Sequence, residues 1–185
     1  MEELRSTAPQ QDLVHHVRTW DYRLATSGMA AAPGAEGRPA LTVAAILRAK
    51  GTHVETTRPE TTLYTVAWNL KIKGIGALVV VSEDSDHILG IISERDIVRA
   101  LIEHGEQLLA LPVSKAMTSP VLTCAREDRV TAVMARMTRH RVRHLPVVEE
   151  GKLAGLISLG DVVKYRLDEL ELEANVLRET LMVSH

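Results

Sequence analysis

One phrase occurs twice in this chain and fixes most of what the rest can be. Gly90-Ile91-Ile92-Ser93-Glu94-Arg95-Asp96-Ile97-Val98 returns as Gly155-Leu156-Ile157-Ser158-Leu159-Gly160-Asp161-Val162-Val163. A shared Gly-apolar-apolar-Ser-x-x-Asp-apolar-apolar pattern at this length marks an internal repeat, and a repeat means that one structural unit has been built twice. It also sets a hydroxyl and a carboxylate three residues apart at two equivalent places.

The residues before each phrase support the same division. Val43, Ile46 and Leu47 give an apolar start, followed by a short strand near Val54 to Thr56. Arg58 to Thr62 reads as a turn, and Leu63, Val66, Ala67, Leu70 and Ile72 recur with helical spacing. Gly74 is placed to end that helix in the left-handed conformation. Ala77 to Val81 is a β-branched run expected as a buried strand, Ser82 to His87 a polar hairpin loop, and Ile88 to Ile92 the returning strand. Ser93 opens a helix through Leu101. The second unit repeats each step: Val113 to Met117, a strand at Val121 to Thr123, a helix opened by Asp128, strands at His144 to Val148 and Leu153 to Ile157, and a helix from Ser158. The order in both is strand, helix, strand, strand, helix, which predicts an α/β (α+β) protein. Residues 1–41 are expected as a leader and linker, partly helical through Leu13, Val17, Trp20 and Leu24 or disordered. The units are expected at 42–108 and 109–168, with a C-terminal helical extension over 169–185.

Composition removes several classes of function. The 22 Lys and Arg against 24 Asp and Glu leave a net charge of -2, with no basic excess to hold nucleic acid. Aromatic residues are 3% of the chain and Phe is absent, so stacking platforms for bases are not expected. Cys124 is the only cysteine, which excludes an internal disulfide and fits a reducing compartment. The apolar run at Ala77 to Val81 is too short to span a membrane, and Met1-Glu2-Glu3 does not open a secretory signal. The expected location is the cytoplasm.

The repeated Ser and Asp have two readings. As helix caps they form a capping-box pattern and need no ligand. As a site, a helix N-terminus favours phosphate, a serine hydroxyl adds a donor, and a carboxylate accepts from both hydroxyls of a ribose diol. A basic cluster, His140, Arg141, Arg143 and His144, precedes the second of these phrases. It reads either as a solvated helix-to-strand corner or as a phosphate clamp built on guanidinium forks. The same place in the first unit is Ile75-Gly76-Ala77-Leu78, without charge, so the two sites are not alike.

With its Val-Val-Val and Leu-Pro-Val-Val strands and the twice-placed Gly-x-Ile-Ser-x-x-Asp phrase, the chain from about 42 to 168 resembles a pair of CBS domains forming one Bateman module. His140-Arg141-Val142-Arg143-His144-Leu145-Pro146-Val147 is especially similar to the second domain of small bacterial stand-alone pairs. The resemblance implies two domains packed about a pseudo-twofold axis, adenine nucleotides bound in the clefts between them, regulation of a separate protein and no catalysis. It implies ribose contacts from Asp161 and Asp96, with Ser158 and Ser93 beside ribose and phosphate. Phosphate contacts fall to Arg143 and His144, with Arg141 as a third candidate, and to Arg95 in the other cleft. Each cleft would take its adenine wall from the opposite domain. For Asp161 the wall would be Leu47, Val54, Glu55, Ile75, Gly76 and Ala77. For Asp96 it would be Met117, Val121, Leu122, Val142 and Pro146. The Asp161 cleft ranks first because it is the more positive. Leu47 and Met117 stand where family members often carry Thr or Ser, so the ligand is left among AMP, ADP, ATP, NAD(H) and S-adenosylmethionine.

Cys124 has no fixed base near it in sequence and is expected as a buried structural thiol. No metal-ligand set and no Gly-rich phosphate loop stands out. Val163, Leu167, Leu170, Ala174, Leu177 and Leu181 form a stripe with spacings of three and four along the last helix. It packs either on its own module or on a second subunit, and a homodimer is the expected state. The alternative to a nucleotide sensor is a structural tandem-CBS dimer with vestigial clefts, in which the Ser and Asp pairs are caps alone.

Overall fold

The computed structural model describes residues 41–83 and 87–183. The elements are α1 (Val43–Lys50), β1 (Thr56–Thr57), α2 (Leu63–Lys73), β2 (Ala77–Val81), β3 (Ile88–Ser93), α3 (Glu94–His104), α4 (Val130–His140), β4 (His144–Glu149), β5 (Lys152–Ser158) and α5 (Leu159–Val183). Short 3-10 turns at Gly105–Ala110 and Val113–Lys115 connect the repeats. The expected leader helix lies outside the described residues.

In the first repeat β1 runs parallel to β2, and β2 antiparallel to β3. All five residues of β2 are buried, and since successive side chains alternate faces, both faces of that strand are covered. The second repeat has the antiparallel pair β4 and β5. Its hairpin turns through Glu150 and Gly151, both at positive φ (49° and 78°), the geometry of a two-residue primed turn.

Two expectations for the second repeat are corrected. No strand forms at Val121 to Thr123; only Cys124 bridges β4, through Cys124 N to Pro146 O (3.0 Å) and Val148 N to Cys124 O (2.9 Å). The chain then leaves the sheet edge, because Asp128 Oδ2 accepts the Ala125 amide at 3.1 Å and closes a turn. That same carboxylate is therefore spent on the turn, and α4 starts at Val130 with Arg129 in the cap position.

The apolar start of each unit belongs, in space, to the other unit. Val43, Ile46 and Leu47 of α1 share a core with Val130, Val133, Met137, Leu145, Val147, Ile157 and Val162. Leu108 and Val113 close the other core, with Leu63, Val66, Leu70, Leu78, Val80, Ile92 and Ala100. The backbone carries the same exchange in matched pairs. Val43 N donates to Asp128 O (3.0 Å) and Val113 N to Thr61 O (2.8 Å); Val130 N donates to Leu41 O (3.0 Å) and Leu63 N to Leu111 O (2.9 Å). This reciprocity is the twofold relation between the repeats. It also explains the glycine that opens each repeated phrase. A Cβ on Gly155 would lie 2.8 Å from Leu47 Cδ2, and one on Gly90 would collide with the Met117 side chain.

Candidate functional site

Both repeated phrases place their serine at the end of a strand and their aspartate in the first turn of the helix that follows. Strand register sets the serines beside the start of the neighbouring strand, Ala77 opposite Ser93 and His144 opposite Ser158. The Glu94 amide donates to Gly76 O (3.3 Å) and the Leu159 amide to Arg143 O (2.8 Å). In both repeats the aspartate amide also donates to the serine Oγ, at 3.2 Å between Asp161 and Ser158. The helix start is thus partly occupied by the protein itself, and side chains carry more of any anion binding there than free amides do.

The two carboxylates are held differently. Asp96 Oδ2 accepts from Ser93 N (2.9 Å) and Ser93 Oγ (2.6 Å). Its Oδ1 accepts the Thr118 hydroxyl at 3.2 Å, with Arg99 Nη2 at 3.7 Å, and the residue is buried. Asp161 Oδ2 accepts from Ser158 N (2.8 Å), Ser158 Oγ (2.9 Å) and the Lys50 ammonium (2.6 Å). Among the described residues no donor is bonded to Asp161 Oδ1, and the side chain is half-buried. Burial pulls the Asp161 carboxyl upward, but the Lys50 and Ser158 donors together outweigh it and hold it below the ordinary carboxylate range.

His144 stands where the repeats meet. A Cβ on Gly76 would lie 3.1 Å from His144 Cε1 and 3.2 Å from Nε2, so a side chain there would press the ring out by a few tenths of an ångström. Burial lowers the imidazole's pKa; the Asp161 charge opposes this, Lys50 and Arg143 add to it, and Glu94 opposes it. The ring is therefore held toward its neutral form, suited to hydrogen bonding rather than to ion pairing. Arg143 is exposed beside it.

The other basic candidates take structural duties. Arg141 caps α4 in the left-handed conformation (φ 55°), the place held in the first repeat by Gly74 (φ 62°). Its side chain is exposed, and its carbonyl accepts Arg95 Nη1 at 3.3 Å. Arg95 thereby ties the first repeat to the corner of the second.

The residues expected as adenine walls differ in exposure. Leu47 is 1% exposed and packed against Gly155, within the core of the second repeat. Ala77 and Pro146 are buried as well, inside β2 and β4. Val54, Ile75, Gly76, Val121, Leu122 and Val142 are half-buried. Glu55 is also half-buried, and its carboxylate is bound by Lys73 (2.5 Å) and His53 (3.2 Å). Met117 packs on Gly90, the counterpart of Leu47 on Gly155. Sequence reasoning missed Lys50 and Thr118. Lys50 follows Ile46 and Leu47 by four and three residues and so shares their helical face. That signal becomes readable only once α1 is known to cross to the second repeat.

No cluster of metal-ligating side chains occurs among the described residues. A cavity of about 450 Å³ lies at the far end of the β4–β5 hairpin, lined by Thr52, Arg126, Glu149, Glu150, Lys152, Leu153 and Ala154, away from both carboxylates. No described helix is long and apolar enough to cross a membrane.

Comparison with known proteins bears on the whole arrangement. The sequence profile of the CBS domain matches residues 43–103 and 113–168. The crystal structure of a CBS-domain containing protein from Agrobacterium tumefaciens is similar with a TM-score of 0.66 and 42% identity, covering 69% of this chain and 94% of that one. A CBS domain protein from Pyrobaculum aerophilum, complexed with AMP, is similar with a TM-score of 0.62 and 28% identity, covering 72% of this chain and 99% of that one. The mitochondrial CBS domain-containing protein CBSX3 of Arabidopsis thaliana is 31% identical over 135 residues. That match covers 69% of this chain and 66% of CBSX3, so the chain spans about two thirds of that relative.

Proposed function

Since this chain belongs to the CBS-domain family, we propose that it is a regulatory sensor, not an enzyme, and that it binds an adenine nucleotide in the cleft at Asp161. The observation that carries this reading is the state of that carboxylate. Asp161 has one oxygen fixed by Ser158 and Lys50 and the other without a protein donor among the described residues, with His144 near enough to feel its charge and that of Arg143. A ribose diol supplies the two donors such a carboxylate can take, and the Arg143 guanidinium is a charged donor for phosphate, with His144 as a neutral hydrogen-bonding partner. The Asp96 cleft is the weaker candidate, because Thr118 already answers the second oxygen and Arg95 is drawn to Arg141. The Pyrobaculum protein, similar over most of this chain, is complexed with AMP, which supports an adenosyl ligand of the AMP, ADP or ATP kind. NAD(H) and S-adenosylmethionine share the adenosyl group and belong in the same test.

The sensor is proposed to work in the cytoplasm as a homodimer that signals to a separate protein. Equivalent positions on α3 and α5, Val98 with Val163 and Ile102 with Leu167, expose apolar side chains, and Leu170 extends the patch along α5. An isologous dimer buries the same patch of both copies, and this exposed apolar patch is the surface proposed for it. Ligand binding changes the signal only to the extent that it favours one arrangement of the repeats over another.

The test is calorimetric titration of the protein with AMP, ADP, ATP, NADH and S-adenosylmethionine, with Asp161→Asn alongside. Saturable binding that the substitution abolishes upholds the sensor. A folded, nucleotide-free protein that binds none of the five leaves the second reading, a structural dimer whose Ser and Asp pairs are caps.

A further inference from the structure

Lys50 has a part in this cleft that its place in the chain does not suggest. It ends α1, and α1 is anchored in the second repeat's core by Val43, Ile46 and Leu47. Its ammonium is thereby delivered to a carboxylate 111 residues away. The equivalent carboxylate in the first repeat meets a neutral hydroxyl, Thr118, at its second oxygen, with a guanidinium no nearer than 3.7 Å. A close ammonium is therefore not something the fold needs in order to hold this aspartate.

Asp161 Oδ2 already receives three donors, more than its two lone pairs. A diol hydroxyl that reaches Oδ2 displaces one of the three. The two Ser158 donors are fixed where β5 passes into α5, whereas Lys50 reaches in on a flexible four-carbon arm with a partly exposed side chain. Lys50 is the one that can leave. If it leaves with nothing to meet, an ion pair in a half-buried place is broken without replacement. A phosphate on the same ligand provides the new partner.

Resting on the nucleotide reading of this cleft, we propose that Lys50 is its specificity-determining residue: it neutralises Asp161 in the empty cleft and passes to the ligand's phosphate as ribose takes the carboxylate. The cleft then favours phosphorylated adenosyl ligands over uncharged ones, because only the former replace the ion pair they disrupt. The discrimination comes from a cost imposed on the wrong ligand as well as from attraction of the right one.

The experiment compares AMP with adenosine by calorimetry on the full chain, in the wild-type protein and in Lys50→Met and Lys50→Arg. The wild type is expected to prefer AMP by about ten- to a hundredfold, the span of one charge-assisted hydrogen bond. Lys50→Met should lose most of that preference, partly through tighter adenosine binding, since Asp161 is then open. Lys50→Arg should keep the preference, which separates the charge from the packing of the arm. An unchanged AMP-to-adenosine ratio in a folded Lys50→Met protein overturns the role of Lys50 and leaves the cleft standing. Failure of the wild type to bind AMP overturns this proposal, and failure to bind any of the five adenosyl ligands overturns the nucleotide reading with it.

Discussion

Leu47 occupies the space in which Gly155 would carry a side chain. A Cβ there would lie 2.8 Å and 2.9 Å from the two Leu47 methyl carbons. The residue that opens the second repeated phrase is thus dictated by a helix that precedes the first. Gly155→Ala should destabilise the protein by about 1–3 kcal/mol, the usual cost of overpacking a core. Urea denaturation measures it. Adding Leu47→Val should recover part of the loss, a coupling that residues without contact do not show.

His144 sets a pH dependence. Its folded pKa is lowered by burial, so between the folded and unfolded values the unfolded chain binds more protons. Stability contributed at this residue therefore rises with pH through about 6.5, the ordinary imidazole value. Asp161 acts at the acid end: its depressed pKa gives stability that is present above about 3.9 and is lost as pH falls below it. Urea midpoints between pH 5 and 8, on the order of the imidazole range, should show a shallower slope in His144→Gln than in the wild type. Equal slopes would exclude the ring as the source.

Cys124 should behave as an inert thiol. Burial, with a smaller push from the Asp128 charge that Arg136 partly offsets, drives its pKa up to about 12. Only the thiolate is nucleophilic, so a disulfide reagent should label it no faster than the protein opens. Labelling rates that rise with urea in step with unfolding are the expected result. Fast labelling of the native protein would contradict the buried position.

The helix patch makes a prediction about assembly. Ile102 is 85% exposed and Leu167 55%, an unusual place for such side chains on a lone module. Ile102→Glu and Leu167→Glu, together, should shift sedimentation from a dimer to a monomer while leaving the fold intact by circular dichroism. A wild-type monomer, or a dimer indifferent to both changes, would remove this face as the interface.

Much of the fold was legible because local signals agreed. Ala77 to Val81 is bounded by Gly76 and Ser82 and rich in β-branched residues, and β2 runs over those residues. Gly74 ends α2 in the left-handed conformation that its position demanded. The partnership of α1 was not legible. Periodicity says that Val43, Ile46 and Leu47 share a face, but not which core the face enters. The omission of Lys50 follows from that one gap. The strand expected at Val121 to Thr123 failed for a different reason: a side-chain turn at Asp128 draws the chain off the sheet edge, and single-strand propensity does not register it. The repeated Ser and Asp were found from the sequence, yet the difference between them lies in Thr118 and Lys50, which come from segments the repeat pattern does not align.

Because residues 43–50 complete the core of the second repeat, and Val113 at the head of the second repeat closes the core of the first, the chain is laced rather than beaded. A nick in the connector would leave two fragments still holding one another by what each has lent. A fragment ending before α4 would strand an apolar helix with nothing to cover. Among the described residues, loosening α1 uncovers the core of the second repeat as well as the start of the first.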